Sequence, residues 1–426
     1  MKQLALLVFL VPLLVVGQTK FQVVTIPAAS KHTYWGTQSE PAIAINPKNT
    51  QEIAAASILD EYYYSLNGGK TWVSKKIKSK YGVWGDPVLL FDTSGAVHYF
   101  HLANYSETSW IDRIVCQTAP SLEMPFNEGT FPAPNGAKAQ DKHWVVLNPV
   151  NNEIYMTWTQ FDKYGSANSL DSSVILFSKS IDQGNSWTKP LRISTVAGNC
   201  LDGDNTVEGA VPAVGANGEI YVTWAGPNGL AFQTSTDGGL TWLKKERIIQ
   251  NQVGGWEFDI PGMSRANGLP ILLSDNSTSS SRGSLYLNWC DQRNGSDNTD
   301  VFIARSNDKG KTWTKPIKVN QDNSNKHQFF TWPAIDQTTG NIYIVYYDRR
   351  NHQDLKTDVY VSISKDGAMS FEDHRISDKP FKPSKKKFFG DYINIAAEKG
   401  VVRAIWPRMD HRKIKLCVTL IDDIKQ

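Results

Sequence analysis

The chain contains few cysteines, and they follow no recognisable pattern. Four cysteines, Cys116, Cys200, Cys290 and Cys417, are spread along 426 residues without Cys-x-x-Cys spacing. This distribution argues against a disulfide scaffold or a zinc motif, so we expect free thiols in the interior. Strong charge is also absent, because the formal net charge is only +3. A value so close to zero gives no basis for nucleic acid binding.

Long apolar runs are absent after the first residues of the chain. The run Leu4–Val16 follows Lys2 and is followed by the small residue Gly17. It is shorter than the roughly 20 residues that span a bilayer, and its flanks are typical of a signal peptide. We therefore predict residues 1–17 as a signal peptide and residues 18–426 as one exported domain without a membrane span. The mature protein is expected to be secreted or periplasmic, and monomeric.

An eight-residue pattern, Ser-x-Asp-x-Gly-x-Thr-Trp, recurs along the chain. Four good copies and a divergent fifth copy occur at Ser65–Trp72, Ser180–Trp187, Ser235–Trp242, Ser306–Trp313 and Ser364–Phe371. The Asp or Asn side chain can accept hydrogen bonds from turn N–H groups, and Gly permits a positive φ. Each copy lies between two strand-like runs, so it predicts a β-hairpin turn over a packed Trp. These aspartates are therefore expected to stabilise the fold rather than to catalyse a reaction.

A pair of strands precedes each turn and sets the number of repeats. The first strand is apolar and the second is rich in Tyr and Trp, as in "WPAIDQTTGNIYIVYYDRR". Seven such pairs begin near residues 41, 87, 144, 212, 270, 333 and 391, and the second is followed by a degenerate turn at Thr118–Phe126. Repeated four-stranded units are the signature of a β-propeller. We predict an all-β, seven-bladed propeller in which a strand at Lys20–Pro27 completes the last blade.

The eight-residue pattern resembles the Asp box, or bacterial neuraminidase repeat, and residues 20–421 are similar to the sialidase-like superfamily of secreted propellers. The resemblance implies a propeller, with six blades as the alternative number because true sialidases usually have six. It also implies a carbohydrate-active enzyme, a glycoside hydrolase acting on an extracellular and possibly acidic glycan. The alternative function is a propeller that binds a glycan or a protein without catalysis.

Acidic residues recur on the face opposite the repeated turns. In an antiparallel blade, the loops that enter the first strand and leave the second strand lie on one face, and the Asp boxes lie on the other. Five acidic residues stand at the entry to first strands: Glu40, Asp86, Asp141, Glu208 and Asp391. Carboxylates crowded near one axis repel unless a cation, a proton or a ligand lies between them. This crowding predicts acid–base catalysis or, as an alternative, a channel cation such as calcium.

A second acidic set ends the second strands and is accompanied by arginine. The stretches "CDQR", "YYDRR" and "MDHR" contain Asp291 with Arg293, Asp348 with Arg349 and Arg350, and Asp410 with Arg412. These aspartates can cap turns, and the arginines could tie one blade to the next by ion pairs.

The resemblance to sialidases implies roles for individual residues. Sialidases hold the substrate carboxylate with three arginines, use a Tyr–Glu pair and an Asp in catalysis, and carry an Arg-Ile-Pro motif near the first blade. This sequence has no Arg-Ile-Pro motif and no arginine before Arg113. By position in the propeller, the resemblance implies Arg293, Arg349 and Arg408 or Arg412 for carboxylate binding, Tyr392 as nucleophile, Glu208 or Glu257 as its partner, and Asp86 as acid/base. Asp141 and Asp391 complete the predicted catalytic set.

Aromatic residues and lysines on the same face are candidates for ligand contact. Trp35, Trp84, His143 and Trp332 lie in or near the loops that enter first strands, and aromatic faces can stack on sugar rings. The basic stretch Lys382–Phe389 favours an anionic ligand. We predict no cofactor other than the cation considered for the channel.

Overall fold

The computed structural model describes residues 21–29, 38–105 and 110–422, and these residues form strands and no helix. Six four-stranded sheets and one three-stranded sheet make up seven blades. This confirms the predicted all-β, seven-bladed propeller over the six-bladed alternative. In the described part of the chain, no helix has the length and apolarity needed to cross a bilayer. The predicted signal peptide at residues 1–17 and Trp35 lie outside the described residues.

The blades follow one another in the chain, and the first strands of neighbouring blades contact each other around the centre. After β1 (Gln22–Ile26), the first blade comprises β2 (Ala42–Ile45), β3 (Ile53–Ser57), β4 (Glu61–Ser65) and β5 (Val73–Lys76). The second blade comprises β6 (Val88–Phe91), β7 (Val97–Ala103) and β8 (Arg113–Ala119). The third blade comprises β9 (Ala139–Leu147), β10 (Ile154–Phe161), β11 (Ser173–Ser180) and β12 (Leu191–Arg192). The fourth and fifth blades are β13 (Glu208–Val214), β14 (Ile220–Gly226), β15 (Gly229–Ser235) and β16 (Arg247–Gln250); β17 (Ile271–Ser274), β18 (Leu285–Asp291), β19 (Asp300–Ser306) and β20 (Ile317–Lys318). The last two are β21 (Gln328–Ile335), β22 (Ile342–Asp348), β23 (Asp358–Ser364) and β24 (Glu372–Arg375); β25 (Asn394–Glu398), β26 (Val401–Asp410) and β27 (Lys413–Asp422), which β1 completes.

The ring is closed by strands from the two ends of the described chain. β1 pairs antiparallel with β27, with Gln22 opposite Leu420 and Ile26 opposite Leu416. The strand predicted at the start of the chain is therefore the outer strand of the seventh blade. This pairing confirms the predicted mode of closure.

The second blade departs from the four-stranded pattern, because no fourth strand forms there in the described residues. A single bridge between Cys116 and Thr130 takes its place. The preceding turn lacks an Asp box, and the side-chain oxygen of Asn127 accepts hydrogen bonds from the backbone N–H groups of Thr118 and Gly129 instead. The degenerate sequence therefore gives an ordered turn but not a regular outer strand.

The Asp boxes form the predicted turns and also join neighbouring blades. Asp308 accepts hydrogen bonds from the backbone N–H of Thr312 at 2.9 Å and from its hydroxyl at 2.6 Å. Gly310 has a positive φ of 75°, and a Cβ there would lie 2.2 Å from the ring of Phe232 in the preceding blade. Trp313 packs edge-on against the same ring, at 5.7 Å between centroids. The box residues therefore act in folding, as the sequence predicted.

The space between blades is filled by the aromatic residues of the second strands. Trp224, Trp289, Trp406 and Tyr346 are among the largest fully buried side chains. Burial of each such side chain removes a large apolar area from water, and this is the main source of stability in the ring. The four cysteines are free and buried, as expected from their spacing.

Candidate functional site

The first strands enter the centre of the ring through residues with left-handed backbone. Glu40, Asp86 and Lys142 have φ of 50°, 47° and 48°, and Gly209 and Gly390 occupy the left-handed region in later blades. A non-glycine residue in this region costs about 1–2 kcal/mol, and such strain concentrates at functional sites. Register shifts in the pairing of β9 and β13 accompany this geometry. A bulge of this kind interrupts simple alternation, so consecutive residues can both reach the same cluster.

The five acidic residues predicted at the entries to first strands converge. Glu40, Asp86, Asp141, Glu208 and Asp391 are all at least nine-tenths buried. Their charges act on one another: Asp86 and Asp391 both raise the pKa of Glu40, and Asp86 raises that of Asp141. The sequence therefore located a real cluster of carboxyl groups around the centre of the ring.

Lys142 is the cation that this cluster requires. Its ammonium nitrogen lies 2.5 Å from a carboxylate oxygen of Asp391 and 3.7 Å from one of Asp86. Burial opposes the charge, but the neighbouring carboxylates outweigh it and raise the pKa of Lys142 well above its usual value. Among the described residues, no group of three or more His, Cys, Asp or Glu side chains is arranged to hold a metal ion. A lysine thus occupies the role considered for a channel cation.

Arg265 provides a second positive charge from the long connection between β16 and β17. Its Nε donates to Asp391 at 2.5 Å, Nη2 also contacts this carboxylate, and Nη1 lies 3.3 Å from Asp202. Burial would raise the pKa of Asp391, but Arg265 and Lys142 together hold it well below its usual range. Asp391 is therefore fixed as an ionised carboxylate between two cations.

Three of the other inner carboxyl groups favour the protonated form: Glu40, Asp141 and Glu208. Burial, and then the charges of Asp86 and Asp202 against the opposing effect of Lys142, raise the pKa of Asp141 to about 7. Burial, followed by Asp202 and Asp141, raises the pKa of Glu208 well above its usual value. Protons and one lysine together therefore relieve the repulsion expected from the sequence.

An open cleft of about 600 Å³ lies beside this cluster. The polar and aromatic side chains that line it include Lys142, Tyr164, Asp202, Trp256, Glu257, Arg265 and Asp391. Of the residues predicted as catalytic, Asp391 and the alternative partner Glu257 line the cleft. The other four lie behind its wall or in the adjoining cavity, as parts of the same electrostatic cluster.

Two carboxyl groups on the cleft wall stand in different surroundings. The hydroxyl of Tyr164 donates to Asp202 at 2.5 Å, and Arg265 contacts the same carboxylate oxygen, so two donors hold this carboxylate in place. Burial, together with Asp202 and Asp204, raises the pKa of Glu257. The Glu257 carboxyl lies over Gly203, where an added Cβ would stand 2.8 Å from its oxygen. The sequence named Glu257 as an alternative partner for a tyrosine, but it missed Tyr164, Asp202 and Arg265.

Tyr392 lies in a narrower, mostly apolar cavity that adjoins the cleft at Lys142 and Asp391. Its ring packs against Trp144 at 5.1 Å and against Trp332 at 6.0 Å. Burial, with the nearby carboxylates, raises the pKa of its hydroxyl well above the usual value. Tyr392 thus converges with the inner carboxyl groups, as predicted, but in surroundings that disfavour a phenolate.

The other predicted ligand contacts divide into buried and exposed residues. His143 is 1% exposed, and burial lowers its pKa to about 3, so it is neutral and lies beneath the surface. Trp332 is partly buried against Trp144. Trp84 is exposed on the predicted face and packs edge-on against Trp110.

The predicted substrate-binding arginines do not line the cleft. Arg293 pairs with Asp291 and stacks over Phe302. Arg349 is buried and donates to Thr357. Arg412 is exposed in the turn between β26 and β27. The expected convergence of Arg293 and Arg349 with the inner carboxylates is therefore corrected: Lys142 and Arg265 take these positions.

The Asp-x-Arg pairs act within a blade, whereas one of the two roles predicted for them from the sequence was to tie one blade to the next. Arg350 bonds to Asp348 two residues earlier and to Asp373 on β24 of the same blade. Arg293 and Asp291 form the corresponding pair in the fifth blade. These ion pairs connect strands and turns within a blade, so they do not tie one blade to the next.

Comparison with known proteins agrees with the repeat and the architecture. The BNR repeat-like domain family matches residues 180–383, and no curated protein sequence matches the chain. An ulvan lyase, a polysaccharide lyase bound to a GlcA–Rha3S ligand, is similar in structure with a TM-score of 0.51 and 14% identity, over 91% of this chain and 95% of that one. YCF48 bound to a D1 peptide gives a TM-score of 0.51 and 10% identity, over 96% and 98% of the two chains.

A leech intramolecular trans-sialidase is also similar, with a TM-score of 0.50 and 12% identity, over 79% of this chain and 67% of that one. Identities this low establish a shared fold and leave activity open. The repeats at the predicted positions, the seven blades and the family match agree with one another. The chain is therefore a seven-bladed β-propeller with Asp-box turns, and it is similar to the BNR repeat-like domain family over residues 180–383.

Proposed function

We propose that the protein is a secreted glycoside hydrolase that cleaves an extracellular glycan in the cleft beside the inner carboxyl cluster. The observation that carries the proposal is the pair Asp202 and Glu257, two carboxyl groups on one cleft wall with opposite electrostatic surroundings. Glycoside hydrolysis requires one protonated and one ionised carboxyl group near the scissile bond. The raised pKa of Glu257 suits this residue to the role of the acid in such a pair.

Glu257 is assigned as the general acid of this reaction. Its raised pKa favours the protonated carboxyl, which is the form that donates to the leaving oxygen of the glycosidic bond. Asp202 is assigned as the carboxylate that faces the developing positive charge on the sugar, as base or nucleophile. Tyr164 and Arg265 orient it by donating to one of its oxygens.

The inner cluster supports this pair by fixing charge and by holding protons. Lys142 and Asp391 form a buried ion pair, and Asp391 also holds the exposed Arg265 at the cleft. Asp141 has a pKa of about 7, so it can exchange a proton near neutral pH. The roles predicted from sequence for Asp86, Asp141 and Glu208 thus become electrostatic support, and Asp391 anchors both cations.

The cleft charges favour an uncharged sugar ring over an acidic one. Lys142 and Arg265, the cations among the described cleft residues, are already bonded to carboxylates. An acidic sugar would have to compete with Asp391 or Asp202 for them. Binding of the acidic glycan suggested by the resemblance would therefore depend on the exposed lysines of Lys382–Phe389. This segment reaches the cleft, because the Phe388 ring lies 5.3 Å from the guanidinium of Arg265.

Export through the predicted signal peptide and action as a monomer belong to the same proposal. Hydrolysis outside the membrane suits a glycan substrate, since such polymers lie outside the cell.

A panel of neutral and acidic polysaccharides, assayed for new reducing ends, tests the activity. Glu257→Gln and Asp202→Asn should each lower turnover of the hydrolysed polysaccharide by about 100-fold or more, the range expected for acid–base groups. The matched control is Asp297→Asn, an exposed carboxylate in the turn between β18 and β19, which should retain activity. Absence of hydrolysis across the panel, or a double variant as active as the parent, would overturn the proposal.

A glycan-binding propeller without catalysis is the second candidate. The exposed Trp84 and Trp110 favour it, because exposed aromatic rings serve binding whether or not a bond is cleaved. Polysaccharide that is bound by the parent but yields no new reducing ends would establish this alternative.

A further inference from the structure

An aromatic row leads from the surface into the cleft. Trp84 is 37% exposed and Trp110 is 46% exposed. Their ring centroids are 5.9 Å apart, and the ring of Trp110 lies 5.4 Å from that of Tyr164. Tyr164 in turn lines the cleft and donates its hydroxyl to Asp202. The row therefore ends at the carboxylate assigned to the reaction.

The two exposed tryptophans adjoin backbone that is anchored by hydrogen bonds. The backbone N–H of Trp84 donates to Leu102 at the end of β7, and Leu102 donates back to Gly85. Trp110 precedes Ile111, which is fully buried and whose carbonyl accepts from Gln140 on β9. All the ring contacts in the row are edge-to-face, with interplanar angles of 77° and 81°. Little conformational freedom remains to be lost when a ligand binds.

The chemistry of the row fits a carbohydrate chain. Contiguous exposed apolar surface often marks a binding site, whereas apolar residues scattered singly over a surface do not. Aromatic rings offer flat apolar faces to the C–H faces of sugars, and they leave the hydroxyl groups in water. The row is continuous with the cleft through Tyr164. A chain bound beside Asp202 could therefore continue along the row.

We propose that Trp110 and Trp84 form binding subsites for further sugar units of a polysaccharide, outside the sugar that is cleaved. The inference deepens the proposed function and rests on it. It implies that the protein acts on chains of several sugars and not chiefly on a terminal monosaccharide. Removal of the rings should weaken binding of long chains more than binding of short fragments.

The test measures binding and turnover separately. The probe for binding is a printed array of plant, algal, fungal and bacterial polysaccharides, used with the Glu257→Gln variant so that no chain is cut. Trp110→Ala and Trp84→Ala should each lower affinity for the bound polysaccharide by about 3- to 10-fold, as expected for one aromatic contact. In the cleaving protein, the same changes should raise KM for the polymer more than KM for its shortest hydrolysed fragment.

Tyr105→Ala is the matched control. Tyr105 is 60% exposed and its ring packs against Tyr81, at 5.4 Å, instead of the row. Polymer affinity should be unchanged in this variant.

The outcomes separate the two proposals. Binding that depends on Trp110, without cleavage by the parent, supports the row and overturns the hydrolase. Cleavage of short fragments, with equal polymer affinity in parent and Trp84→Ala/Trp110→Ala, overturns the row and retains the hydrolase. If no polysaccharide on the array binds, the row is not a glycan site.

Discussion

Replacement of Lys142 by methionine tests whether this lysine is the charge that permits the central carboxyl cluster to fold. Methionine has a similar length and removes the ammonium group without leaving a large cavity. The side chains of Lys142 and Asp391 are 8% and 3% exposed, so the pair is buried. Removal of one partner from a buried pair destabilises by about 3–5 kcal/mol, because the other charge remains without compensation. We expect about 3 kcal/mol, since Arg265 still contacts Asp391.

The loss should depend on pH in a defined direction. Lys142 lowers the pKa of Asp141 and Glu40, both of which are raised mainly by burial. A carboxyl group with a raised pKa adds stability below its unfolded value of about 4, and this stability is lost as pH rises through the folded value. For Asp141 that folded value is about 7. Without Lys142 both pKa values rise further, so the deficit of the variant should grow as the pH rises above about 7, where Asp141 ionises in the folded parent but stays protonated in the folded variant.

Urea unfolding followed by tryptophan fluorescence at several pH values provides the measurement. Lys76→Met is the matched control, because Lys76 forms an ion pair with Asp60 at 2.9 Å in which both side chains are substantially exposed. Such a surface pair contributes about 0–1 kcal/mol. Equal destabilisation by the two substitutions, or a Lys142→Met deficit independent of pH, would refute the assigned role.

Two further predictions separate the folding residues from the site residues. Asp308→Ala should lower the free energy of unfolding by about 1 kcal/mol, since it removes partly solvated hydrogen bonds of an Asp-box turn; ligand affinity should not change, and a loss of affinity at unchanged stability would place function on the box face. Gly203→Ala should leave stability nearly unchanged but lower kcat by about tenfold or more, because the new Cβ would stand 2.8 Å from the Glu257 carboxyl and displace it. Urea denaturation and steady-state kinetics check both, and an unaltered kcat in Gly203→Ala would contradict the role of Glu257.

The fold followed from the sequence because its signals are local and repeated. Each Asp box fixes a turn through residues only four positions apart, such as Asp308 and Thr312. The alternation of apolar and aromatic strands then gives the blade, and the unpaired strand at the start of the chain gives the closure. The missing outer strand of the second blade was not predicted, because the absence of an Asp box does not show whether an outer strand still forms.

The candidate site was predicted only in part, for reasons that are also physical. The inner carboxyl groups sit at equivalent positions of successive blades, so counting repeats located them. Lys142 was missed because neighbouring residues of a regular strand point to opposite faces, which would direct Lys142 away from Asp141. The left-handed backbone of Lys142, with φ of 48°, breaks this alternation and brings both side chains into the cluster. Arg265 and Asp202 lie in connections outside the repeat, where sequence spacing says nothing about distance from the centre.

The pairing of β1 with β27 has a consequence for the order in which the molecule can assemble. Thr25 and Cys417, which contact across this pair, are 392 positions apart in the chain. Contacts of such large sequence separation form late and slow the folding of β-rich proteins. During synthesis, β1 emerges long before its partner exists, and it presents an unpaired edge until the last blade arrives. The seventh blade is thus the last to be completed, and until then the unpaired edge of β1 can associate with another strand.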